Sequence, residues 1–103
     1  MDMNVWPNTI RGMSWPKDGM TYSYEHRGYI RPEKLEHWLT TAFGVNKAKY
    51  VIFNSRIYIK APRQPTDEER EWMEDRDANS GVQVAEVGWM VLPKKTAASR
   101  MKA

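Results

Sequence analysis

Lys49, Phe53, Arg56, Tyr58 and Lys60 fall within a stretch of twelve residues whose alternation sets rings and cations side by side. Two β-rich runs, Ala48 to Phe53 and Arg56 to Ala61, flank Asn54-Ser55, and this spacing predicts a hairpin with a two-residue turn. Such a turn pairs Ile52 with Ile57, Tyr50 with Ile59 and Ala48 with Ala61 on one side, which is the core side. The other side pairs Phe53 with Arg56, Val51 with Tyr58 and Lys49 with Lys60. Two rings among three cations suit single-stranded nucleic acid, with the rings stacking on bases and the charges meeting phosphate. Arg27, Arg31 and the C-terminal Lys94 and Lys95 would extend that surface. The competing expectation covers Phe53 and Tyr58 with the N-terminal Trp-Pro segment and leaves the lysines to keep a sheet edge soluble.

A second chemistry sits further along. Residues 67–77 hold seven acids against Arg70 and Arg76, so the segment is −5 and the rest of a chain of net charge +3 is +8. A row of carboxylates can imitate a phosphate backbone and occupy a basic groove on another protein. Glu68, Glu71 and Asp75, with the exposed parts of Trp72, are the residues expected to make that contact; the bland reading is a solvated helix.

Other constellations are thinner. Asp75, Asp77, Asn79 and Glu86 stand at positions 1, 3, 5 and 12 of a calcium loop, but Ser80 holds the place that needs glycine and the exit reads as strand. His26 and His37 lack a companion metal motif, and a helix-surface ion pair of His37 with Glu33 is the simpler reading. No serine sits in a nucleophile elbow, no glycine-rich phosphate loop follows a strand, and the absence of cysteine removes thiol chemistry. The expectation is therefore a protein without catalytic residues, metal or cofactor.

These side chains need elements to position them. Trp6-Pro7 and Trp15-Pro16 make residues 1–19 read as irregular, because proline disfavours helix at the residue before it. Pro16-Lys17-Asp18-Gly19 reads as a turn into a first strand, in which Met20, Tyr22 and Tyr24 alternate with polar residues. Pro32 opens a helix with Leu35, Trp38, Leu39, Ala42 and Phe43 on one face, and Gly44 closes it. Thr66 and Glu69 form a capping box for a second helix over 67–77. Val82 to Leu92 reads as one last strand with Gly88 a possible bulge, and residues 94–103 read as a basic flexible tail.

The order β-α-β-β-α-β predicts a single α+β domain over 1–93 with a ferredoxin-like arrangement, an antiparallel sheet with two helices on one face and the other face open. A chain of 103 residues with 41% hydrophobic content supports one core. No run approaches the roughly 20 apolar residues of a spanning helix, and the first fifteen residues lack the pattern of a secretory signal; the expected location is cytoplasmic. The leading functional expectation is a small binding protein that docks on nucleic acid or a nucleoprotein complex through the basic and aromatic sheet face. The alternative is an inhibitor or adaptor, of the kind encoded by viruses and mobile elements, that engages a host nucleic-acid-handling protein through the acidic helix.

Overall fold

The structure, a computed structural model, describes residues 5–26 and 29–93. Arg27, Lys94 and Lys95 lie outside the described residues, as does the tail. Eight elements follow in order: α1 (Asn8–Arg11), β1 (Met20–Glu25), α2 (Pro32–Phe43), β2 (Lys49–Phe53), β3 (Arg56–Ala61), α3 (Asp67–Glu74), β4 (Gly81–Val84) and β5 (Gly88–Val91). The result is a small α+β domain, with β1, β3 and β2 forming one antiparallel sheet in that order and β4 and β5 forming a separate hairpin.

The β2–β3 register is the predicted one, from Phe53 opposite Arg56 to Lys49 opposite Lys60. Asn54 and Ser55 make the turn in two residues, at φ 49° and 62°. Paired left-handed residues give the turn the twist of the flanking strands, and Ser55 adopts a conformation that glycine would take at lower cost. On the other side of β3, Tyr22 pairs with Ile59 and Tyr24 with Ile57. One sheet face therefore presents Tyr22, Ile57, Ile59 and Ala61, which pack with Leu35, Trp38 and Leu39 of α2 and Trp72 and Met73 of α3.

The helices start where local chemistry dictates. Pro32 supplies a fixed φ at the first turn of α2, and Gly44 at φ 92° stops it. In α3 the Thr66 hydroxyl accepts from the Glu69 amide while the Glu69 carboxylate accepts from the Thr66 amide. The helix ends at Glu74, three residues before the predicted 77, because Asp75 turns extended and its carbonyl, with those of Trp72 and Asp77, is taken up by Lys34.

Three expectations need correction. The segment before β1 contains a helical turn, α1, seated by buried Ile10. The last strand is a hairpin, so the four-stranded ferredoxin-like sheet does not form. A continuous strand with Val82 and Val84 inward would also have pointed Glu86 into the core; instead the chain turns at 85–87, closed by the Val87 amide on the Val84 carbonyl, and Gly88 at φ 85° starts the return. Finally, the second sheet face is covered. Trp6 and Ile10 pack on Tyr58, with Trp15, Val51 and Phe53 around them, in a small cluster apart from the main core.

Candidate functional site

Two charged surfaces emerge, and they are built differently. The first is the β2–β3 face that carries Lys49, Phe53, Arg56, Tyr58 and Lys60. All five share one side of the sheet, as their spacing requires. The N-terminal segment lies over them. Tyr58 is only 5% exposed, with the Trp6 ring edge-on against it at 5.2 Å and Trp15 against Trp6 at the same separation. The Trp15 indole donates to the Ile10 carbonyl at 2.7 Å and locks the cover. An open pair of stacking rings is thus absent: Phe53 is half-buried and Tyr58 is a packing residue. The cause is apolar area, since Trp6, Ile10 and Trp15 would otherwise stand in water, and each large side chain contributes roughly 1.5–3 kcal/mol on burial.

The cations of this face are held by neutral groups. Lys49 donates to the Ser14 carbonyl at 2.6 Å and lies over the Trp15 ring, while Lys60 donates to the Lys17 carbonyl at 3.2 Å. Arg56 donates to the Ser23 hydroxyl at 3.0 Å. Arg31 does not join them: it precedes α2, and its amide donates to Met73 in the helix layer.

The second surface gathers Glu68, Glu71 and Asp75 of α3 and the residue after it against the β4–β5 hairpin. The hairpin turns Val82, Val84 and Met90 into the core and leaves Gln83, Trp89 and Val91 outside. Trp89 is 67% exposed. A Cβ at Gly81 would sit 2.4 Å from the Trp89 ring, so the indole lies directly on the Gly81 backbone and only glycine admits it there. Between ring and helix runs a groove of about 370 Å³ lined by Glu68, Glu71, Trp72, Asp75, Gly81 and Trp89. Trp72 forms part of its wall but is 3% exposed, and its indole donates to the Ser80 carbonyl at 2.8 Å. The expectation that Trp72 offers an exposed contact is corrected: it is a core residue, because its place on α3 faces the sheet. Sequence reading missed Trp89, although its neighbour Met90 alternates with it in a short strand.

The chain of hydrogen bonds beneath this groove uses the acids of the supposed calcium loop. Lys34 is 2% exposed and its ammonium donates to the carbonyls of Trp72, Asp75 and Asp77 at 3.0, 2.8 and 3.0 Å and to the Ser80 hydroxyl at 3.1 Å. A cation at the C-terminal end of α3 also complements the helix dipole. Burial lowers the Lys34 pKa, while Asp75 and Asp77 oppose that shift. The Asp75 and Asp77 carboxylates accept from the amides of Asp77 and Asn79, both at 2.9 Å. The Asp77 amide, then the Ser80 side chain, hold the Asp75 carboxyl below its ordinary range. Glu86 is elsewhere, on Arg63. Among the described residues no group of three or more His, Asp or Glu is placed to hold a metal ion.

Arg63 ties the hairpin to α3. Its guanidinium donates to both Glu69 oxygens at 2.7 and 2.8 Å and to both Glu86 oxygens at 2.9 and 2.8 Å. Glu69 is 1% exposed. Burial alone would raise its pKa, but the bonds from Arg63 and the Thr66 amide outweigh that and hold it below the ordinary value.

Neither family models, nor curated proteins, nor solved structures give a match to this chain. No helix among the described residues is long and apolar enough to cross a membrane.

Proposed function

We propose that this chain is a non-enzymatic docking protein that recognises a basic surface on a macromolecular partner through the outer face of β4–β5 and the acidic side of α3. The observation that supports it is Trp89, an indole 67% exposed and laid on Gly81 at the edge of a groove that Glu68, Glu71 and Asp75 line. Tryptophan is enriched among the few residues that dominate binding energy, and an aromatic face flanked by carboxylates favours lysine or arginine. Acids on the rim steer a basic partner and raise its association rate. A protein that handles nucleic acid carries such a basic groove, so the role that fits is an inhibitor or adaptor of that class. A chain without cysteine suits the cytoplasm, where such partners work.

Affinity capture from nuclease-treated extract tests this reading. A partner retained by the wild-type chain is expected to be lost with Trp89→Ala and with the triple variant Glu68→Lys, Glu71→Lys, Asp75→Lys, while both variants still melt cooperatively. Undiminished capture of the same proteins by Trp89→Ala overturns it.

A further inference from the structure

Lys49 and Lys60 stand directly opposite each other on one sheet face, and like charges in that relation destabilise a sheet. Among the described residues neither has a carboxylate within ion-pair distance. Each ammonium instead donates to one backbone carbonyl of the N-terminal segment, Lys49 to Ser14 and Lys60 to Lys17. A lysine has three N–H donors, so each keeps two to spare in a fixed position. The same segment brings the backbone of Lys17 beside Lys60, and Lys17 shares a groove of about 530 Å³ with Lys47 from the loop before β2. Asp18 also lines that groove, while Lys49 lines a separate pocket that includes Glu36. Pro16 and Pro62 add apolar surface to the lining of the Lys17 groove, and the Lys49 ammonium lies over the Trp15 ring.

We propose that this lysine cluster is a second binding surface, independent of the Trp89 groove, and that it takes the phosphate backbone of a nucleic acid. Folding holds like charges together at a cost to the sheet, and an anion that bridges them removes that cost. Several phosphates in a row meet four lysines better than any single small anion does. Lysine acts on phosphate as a point charge without demanding a particular base, so the contact is sequence-independent. The buried Tyr58 has no part in it. A nucleoprotein complex would offer both the basic protein surface for one groove and the phosphates for the other.

Fluorescence anisotropy with a labelled oligothymidylate of roughly 20 nucleotides, longer than the site of a small binding domain, provides the test. The full chain is expected to bind at low salt with log K falling linearly in log salt, at a slope of about −2 to −3 if three or four phosphates are neutralised. Lys49→Gln with Lys60→Gln is expected to reduce the slope by about 1.4, twice the roughly 0.7 contributed per phosphate contact on a single strand. Affinity at low salt should fall tenfold or more. Melting of this variant reports on the fold at the same time: removing the like-charge pair should not lower its midpoint. Trp89→Ala should bind the oligonucleotide as wild type does, which separates this surface from the other groove. No binding at low salt overturns the proposal, as does binding that the double variant leaves unchanged. Equal affinity for polyglutamate or for anionic vesicles overturns the assignment to nucleic acid.

Discussion

The β2–β3 face and the β4–β5 face both combine aromatic side chains with charge, yet the rings of the first are covered inside the molecule and the indole of the second is left open. On the first, Trp6, Ile10 and Trp15 cover Tyr58, and carbonyls of the covering segment hold Lys49 and Lys60. On the second, backbone carbonyls hold the buried Lys34 ammonium and Arg63 pairs with buried Glu69 underneath, while Trp89 stays on top. An aromatic residue near charges is therefore no guide by itself to a binding surface. Whether another part of the same chain has the apolar area to cover it decides the matter.

The comparison can be broken most severely at Arg63. Replacing it with alanine leaves Glu69 buried and unpaired and frees the hairpin from α3, at an expected cost of about 3–5 kcal/mol in urea unfolding. A loss below about 1 kcal/mol would mean that the hairpin is held by its apolar contacts alone. Ile10→Ala attacks the covered face. It should cost about 2–4 kcal/mol if the N-terminal cover folds as one unit with the sheet, and hydrogen exchange should then rise at Ile10 through Trp15. A much smaller loss would show that the cover opens on its own.

Acid sharpens the contrast next. Glu69 has a folded-state pKa below its ordinary 4.5. Its contribution is complete above the unfolded value and is lost as pH falls through the folded one, because the unfolded chain takes up the proton first. The melting temperature should therefore be level above about pH 5 and decline below about pH 4. Glu69→Gln should decline less steeply over the same range, and an identical slope would remove Glu69 as a cause.

Two smaller effects complete the set. Ser55→Gly relieves a left-handed serine at φ 62° and should raise stability by roughly 0.5–1 kcal/mol, read from the unfolding midpoint. Trp89→Ala should move stability by no more than about 0.5 kcal/mol, unlike Ile10→Ala. A loss of several kcal/mol at Trp89 would make it a packing residue, and the two faces would no longer differ.

Much of this molecule was legible in local chemistry. The period of Leu35, Trp38 and Leu39, the Thr66–Glu69 capping box and the alternation of residues 48–61 fix α2, the start of α3 and the β2–β3 register, because each depends on residues within a few positions of one another. Sequence alone also grouped Lys49, Phe53, Arg56, Tyr58 and Lys60 on one face, and Glu68 and Glu71 on one helix with Asp75, which stands just past its end. Tertiary structure decided which of these stay accessible. That Trp6 closes over Tyr58, that Lys34 enters the 75–80 loop in place of an external cation, and that Glu86 turns away to Arg63 and splits the last strand are contacts between residues more than 20 positions apart. Such contacts follow from how much apolar surface the whole chain must hide and from which buried charges must be paired, and no local pattern carries that information.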